Sequence, residues 1–294
     1  LRFAELVEEY THGAYTVEVY PNSTLAGGNQ LGAIEMVQQG TISCGLLSPL
    51  VQSAIVPDLN ALCIPYLWKD YESIDTALTP GSDVDKALNA VLADSGYIAI
   101  AYAENGYREV TNSVRELKTP EDFDGIQFRV IGSNMLFDFF RALGANPMDM
   151  DFSELFTGLQ QGTVDGQENP LPTADGASIA EVQKYVTYWT GVYDCIFFTM
   201  NADLYNSLSP ELQQIVDECG QKAAQNQRKL EREQDQEVLQ KWADAGVTVT
   251  ELTDEAAAEF KDASSGVADL FVKDCVDKGF DQSEVESLVA AFQK

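Results

Sequence analysis

Between Ser209 and Gly246 the chain keeps a helical rhythm for about 35 residues, and few folds accommodate such an element. Ser209 is a good N-cap, Pro210 suits the first helical position, and Glu211 complements the positive end of the helix dipole. At 1.5 Å per residue such a helix reaches roughly 50 Å. It is apolar at both ends, while Gln225 to Gln236 is almost wholly polar. An unbroken helix of this kind bridges two domains across solvent. A break at Gly220 gives two ordinary helices instead.

The remaining pattern alternates strand and helix. Residues 15–20 alternate at period two and read as a strand ending at Pro21. A Gly-rich loop over 26–30 leads into a helix from Leu31 to Gln39, closed by Gly40. Ile42–Leu47 reads as a short buried strand before Ser48-Pro49, residues 72–95 as helical, and Tyr97–Tyr102 as another buried strand. After a crossover near 103–106 comes a second series: a helix start at Thr119-Pro120, a strand over Ile126–Ile131 and a helix from Asn134 to Leu143. Val247–Leu252 reads as a strand, and two helices follow it. This order predicts an α/β fold with a largely parallel sheet. The chain opens on an amphipathic helix already under way at Leu1, so a strand is expected ahead of it, and the stretch given carries no signal peptide.

With 294 residues, 45% of them hydrophobic, the chain suffices for one large or two ordinary domains. A net charge of −29 with no basic stripe excludes nucleic acid and anionic membrane surfaces as partners. No apolar run approaches the roughly 20 residues of a membrane span. The five cysteines form no CxxC pair, which argues against a disulfide framework and, taken alone, for a reducing compartment.

So acidic a chain makes each cation informative. Residues 1–150 hold eight, of which Arg108 and Arg129 lie in apolar, strand-like contexts. A buried guanidinium needs an anionic partner: either a ligand carboxylate or an Asp or Glu of its own domain. Downstream, the amphipathic run Phe152–Asp165 leads into Gly166-Gln167-Glu168-Asn169-Pro170, a turn rich in amide and carboxylate groups that aims fixed hydrogen-bond partners into a cleft. His12, the only histidine, follows the first helix and reads as a residue beside the helix dipole. Asp149-Met150-Asp151 lacks the spacing of a Ca²⁺ loop and reads as solvated acid, and residues 228–237 as the wet face of the long helix. No metal and no cofactor is expected. Nothing singles out a nucleophile with its base or a catalytic carboxylate pair.

The segments Tyr107–Ser113, Lys118–Asp122, Phe128–Val130, Leu143–Pro147, Phe152–Leu155, Leu159–Gly162, Val164–Pro170 and Glu181–Tyr185, taken in order, resemble the DctP-type solute receptors of TRAP transporters, the tripartite ATP-independent carriers of organic acids. The likeness covers essentially the whole chain and is densest over 104–185. It implies a two-lobed, periplasmic-binding-protein-like α/β fold with a long spine helix spanning both lobes. Lobe I would hold 1–105 plus 195–233, and lobe II 106–194 plus 234–294. It further implies closure of the lobes on a small organic acid, delivery to small DctQ-type and large DctM-type membrane subunits, and a periplasmic or extracytoplasmic location. An anaerobic habitat reconciles that location with unpaired cysteines.

By the same resemblance Arg129 takes the place of the family's two-pronged carboxylate grip, for which a planar guanidinium is suited. Asn169 stands at a ligand-contacting amide, and Phe152 at an aromatic pocket wall. Arg108 stands at a second arginine that some members use for another oxygen-rich end of the ligand. Gln30 and Ser48 fall at first-lobe loop positions that touch ligand in relatives. Where many relatives have Pro this chain has Ile131, and Gly132 stands where sialic acid receptors place Asn, which disfavours that ligand. The competing functions are a ligand-binding sensor module and an enzyme acting on a carboxylate.

Overall fold

The structure is a computed structural model that describes residues 1–292. Its strands are β1 (Cys44–Leu47), β2 (Tyr97–Tyr107), β3 (Glu109–Asn112), β4 (Gln127–Val130), β5 (Asn146–Asp149), β6 (Gly166–Asn169), β7 (Tyr185–Tyr188), β8 (Tyr193–Asn201) and β9 (Thr248–Glu251). They form two sheets, a three-stranded one in the order β1-β8-β2 and a six-stranded one in the order β5-β4-β6-β3-β7-β9. The expectation of a largely parallel sheet needs correction. Every pairing in the first sheet is antiparallel, and the second is mixed, with β4 parallel to β5 and β6, β7 parallel to β9, and β3 antiparallel to both its neighbours. Long strands β2 and β8 carry the chain out of one sheet and back, which makes them antiparallel by construction.

The long helix is a single element, Pro210–Asp244, with no break at Gly220. That glycine lies against β2, where a Cβ would stand 3.4 Å from Ile100 Cδ1, so the missing side chain lets helix and strand approach closely. Toward its other end Val238, Leu239 and Trp242 join the cluster of Leu155, Leu159, Val164 and Val186 beneath the second sheet. One helix thus packs against both sheets.

Its polar middle does more than face water. Arg228 and Arg232 both reach Asp75 and the buried Glu104, with Arg232 Nη2 at 2.7 Å from Asp75 and 2.6 Å from Glu104. The Arg232 guanidinium also lies 4.2 Å over the Tyr71 ring. The register of β2 against β8 slips between Glu104 and Gly106, which frees backbone groups there. Gln227 takes them up: its Oε1 accepts from Glu104 N at 2.8 Å and its Nε2 donates to Glu104 O at 2.7 Å.

Other expectations are corrected by simple causes. Residues 15–20 alternate but pair with no strand among the described residues; they run irregularly, with Val19 and Tyr20 about half exposed. β1 is shorter than predicted and forms the edge of its sheet, leaving Leu46 59% exposed. The helical region 72–95 is two helices, Tyr71–Ala77 and Asp83–Leu92, separated at Pro80-Gly81, where Gly81 has φ +82°. Three helices, not two, follow β9: Asp254–Ala263, Val267–Asp277 and Gln282–Phe292. The last of these, placed with lobe II in the expected division, packs on Asp83–Leu92 and on the turn Pro57–Cys63, with Phe292 beside Trp68. A single apolar cluster consequently runs from Ile34 through Phe128 and Phe139 to Phe292.

Removing Arg232 leaves the buried Glu104 carboxylate, among the described residues, with only the longer contact to Arg228, at 3.6 Å, and the Tyr193 hydroxyl, at 3.2 Å. Arg232→Ala should lower unfolding free energy by about 2 kcal/mol in urea titration, and Asp75→Ala, at an exposed partner, by less than about 1 kcal/mol. Equal losses would contradict the ranking by burial.

Candidate functional site

In β4, Phe128 and Val130 enter the aromatic core, where Phe128 stacks 4.3 Å from Phe140. Strand alternation then sends Arg129 to the opposite face. Arg129 is 1% exposed, and its Nε donates to Met150 O at 2.9 Å. No carboxylate of the described residues forms an ion pair with it. Burial pushes its pKa down to about 10, an effect opposed mainly by the nearby Glu168. A guanidinium buried this deeply with no carboxylate partner among the described residues carries an uncompensated desolvation cost.

β6 runs parallel to β4 with Gln167 opposite Arg129, so Gln167 and Asn169 rise on the same face. Asn169 Nδ2 donates to Gln167 Oε1 at 2.6 Å, Gln167 Nε2 to Thr111 Oγ1 at 3.0 Å, and Thr111 Oγ1 to Gln183 Oε1 at 2.9 Å. These linked groups fix the amides beside Arg129. Phe152 is half-buried at the start of the helix Phe152–Gln161, two residues beyond the carbonyl that receives Arg129.

Arg108 is arranged differently. It is the single residue between β2 and β3, where the chain passes from one sheet to the other. Each nitrogen of its guanidinium donates inside the protein: Nε to Glu168, Nη1 to Asp194 Oδ2 at 2.7 Å, and Nη2 to Glu168 Oε1 at 3.0 Å and Asn169 Oδ1 at 3.1 Å. Burial alone would lower its pKa, but Glu168 and Asp194 outweigh that and hold it above the usual range. The same Asp194 accepts from Ser48 Oγ at 2.7 Å and Asn105 Nδ2 at 2.8 Å. Ser48 also caps the helix Pro49–Gln52.

Asn169, Arg108 and Ser48 are thus linked, directly or through Asp194. Arg129 joins them through the register that sets it opposite Gln167, and Phe152, two residues after Met150, packs against the apolar cluster beneath the second sheet. Gln30 stands apart. It begins the helix Gln30–Gln38 and lines a separate cavity of about 510 Å³ with Phe3, Val17 and Cys44. Sequence reasoning missed Asp194 and Asn105, and took Glu168 only as one group of the Gly166–Pro170 segment, without its pairing to Arg108. Asp194 had a visible signal: it is an acid inside the apolar run Val192–Phe198, the mirror image of the argument that singled out Arg129.

Below the crossover lies a buried acid. Glu109 begins β3; its Oε2 accepts from Trp189 N at 2.6 Å and Thr190 N at 3.2 Å, while Oε1 has no partner among the described residues. Burial raises its pKa to about 8, and burial likewise raises Glu231 to about 7 and Asp235 to about 6. For raised carboxyls the stabilising contribution is whole below the ordinary carboxylate range and is lost as pH climbs through the raised values. Thermal midpoints should therefore fall between pH 5 and about 8.5, by the equivalent of roughly 2 kcal/mol or more. Glu109→Gln should flatten that decline; an unchanged slope would remove Glu109 from the account.

Residues 1–274 match the bacterial extracellular solute-binding proteins, family 7, designated DctP. The chain is 36% identical over 274 residues to the 2,3-diketo-L-gulonate-binding periplasmic protein YiaO of Escherichia coli (strain K12), covering 93% of this chain and 82% of that one. To the C4-dicarboxylate-binding periplasmic protein DctP of Rhodobacter capsulatus it is 32% identical over 275 residues, covering 91% and 80%. A solved TRAP periplasmic solute-binding protein of Ralstonia eutropha H16, holding (S)-2-acetolactate, superposes with a TM-score of 0.89 at 33% identity, covering 99% and 92%.

Proposed function

This chain belongs to family 7 of the bacterial extracellular solute-binding proteins, the TRAP type, and we propose that Arg129 is its grip on the carboxylate of a small organic acid. The family binds solutes for transport. The observation that carries the reading is the buried guanidinium of Arg129, unpaired among the described residues, since a desolvated cation of this kind is stable only if an anion completes it. A carboxylate can accept from both Nη groups while Nε stays on Met150 O. Gln167, opposite Arg129 in the sheet, and Asn169, bonded to it, border that position, and in this reading Phe152 walls it.

Arg108, whose donors are committed to Glu168 and Asp194, is a positioning residue that holds Asn169, and Ser48 acts through the same Asp194. Gln30 has no link to the group. Lobe I is read as 1–105 plus 195–233 and lobe II as 106–194 plus 234–294, except that the helix Gln282–Phe292 packs on elements of lobe I; the spine helix and the crossing strands allow closure on ligand. The loaded protein would work outside the cytoplasmic membrane and dock small and large TRAP membrane subunits. No helix among the described residues is long and apolar enough to cross a membrane.

The test begins with thermal shift against a panel of organic acids, with amides and sugars as neutral controls. An acid at a hundredfold excess over its Kd adds about 2.7 kcal/mol of stability. In calorimetry with the acid so found, Arg129→Ala should cost at least about 3 kcal/mol of binding. Arg129→Lys should lose most of the affinity as well, because the fork geometry goes. Binding by Arg129→Ala within threefold of the unaltered protein would refute the assignment.

A further inference from the structure

We infer that Asp194 and Glu168, by consuming Arg108, restrict the site to acids with one carboxylate on a neutral, hydroxylated body and exclude dicarboxylates. The inference rests on the reading of Arg129 as the carboxylate grip. Family membership does not decide the matter, because the relatives described above include a C4-dicarboxylate binder.

A dicarboxylate held between closed lobes needs a second buried cation, or its second charge is desolvated without compensation. Among the described residues, Arg108 and Arg129 are the only fully buried arginines or lysines. Arg108 is two strands from Arg129 in the sheet order, at the far side of Asn169, and is the natural candidate for the second charge. Its Nε and Nη2 are taken by Glu168 and its Nη1 by Asp194, both carboxylates being at most 1% exposed. Two acids against one cation leave this end of the site negative. Asp194 is itself fixed by Ser48 and Asn105, so Arg108 cannot be drawn away without stranding a carboxylate that two other residues hold in place.

What the site offers beyond Arg129 suits hydroxyl groups. Gln167 and Asn169 lie on the same face, and beyond their bonds to each other, to Thr111 and to Arg108 each amide keeps a second N–H and a second oxygen lone pair. An alcohol donates to an amide or carboxylate oxygen, whereas a second ligand carboxylate has no proton to give and meets like charge.

The experiment measures affinity at pH 7.5 for length-matched aldonate and aldarate pairs: threonate with tartrate, gluconate with glucarate, galactonate with galactarate. In at least one pair the aldonate should bind, and bind at least thirtyfold more tightly than its aldarate. Asp194→Asn, checked for folding by circular dichroism, should narrow that ratio at least tenfold, by removing one of the two acids and freeing Nη1 of Arg108. An aldarate that binds as well as its aldonate overturns the single-carboxylate restriction. If that aldarate is also lost in Arg129→Ala, the grip itself stands. Aldonate binding that survives Arg129→Ala overturns the grip and this inference together. Failure of the unaltered protein to bind any member of any pair overturns the hydroxylated class.

Discussion

Arg108 ties the two sheets together where the chain passes between them. It is the one residue between β2 and β3, and it ties Glu168 in one sheet to Asp194 in the other. Its backbone is fixed as firmly as its side chain: Arg108 N donates to Val192 O at 2.8 Å, and Trp189 Nε1 donates to Arg108 O at 2.7 Å. The Trp189 ring in turn stacks on Phe123 and Phe140 in the common core. Buried ion pairs add little stability over apolar packing, but breaking one is costly, so such a pair fixes geometry more than it strengthens the fold. Here the geometry concerned is the relative placement of two sheets. The amides around Arg129 inherit their positions from it through Asn169.

The spine helix forms a second link, built on the same matching of charges. Arg228 and Arg232 neutralise Glu104 and Asp75 near the end of β2, and Gln227 replaces backbone partners that the slipped register leaves open. Between these two links the chain has placed most of its buried acids: Glu104, Glu109, Glu168, Asp194 and Asp235. Cations answer three of them. Glu109 and Asp235 are left to hydrogen bonds from backbone amides and Tyr188, which is why burial lifts their pKa values. Arg129 is the converse, a cation with no acid of its own among the described residues.

Much of this was legible beforehand. The spine helix was readable because its cap, its proline and its polar middle all follow local rules. Arg129 was readable because a cation among Phe128, Val130 and Ile131 violates those rules. Residues 15–20 misled because alternation describes a strand's faces and says nothing about whether a neighbour exists to pair with. The parallel sheet misled because counting strand–helix alternations cannot reveal that β2 and β8 run between sheets. The partners of Arg108 were hidden for a similar reason: its two acids lie 60 and 86 residues away, and pairing over such distances leaves no local trace. Glu168 shares Arg108 Nη2 with Asn169, a pairing that the order of residues in β6 does not reveal.

The open edge at β1 has a colloidal meaning. Its backbone groups, unpaired among the described residues, the exposed Leu46, and Val19 and Tyr20 nearby make a template on which another extended chain can add. Nothing in the strand itself, Cys44-Gly45-Leu46-Leu47, guards it with charge or proline. The guard is global: two copies each carrying −29 repel before their edges meet. Dissolved salt shortens the reach of that repulsion to about 3 Å at 1 M, less than the separation of paired strands. Monodispersity is therefore a property this molecule shares with its buffer.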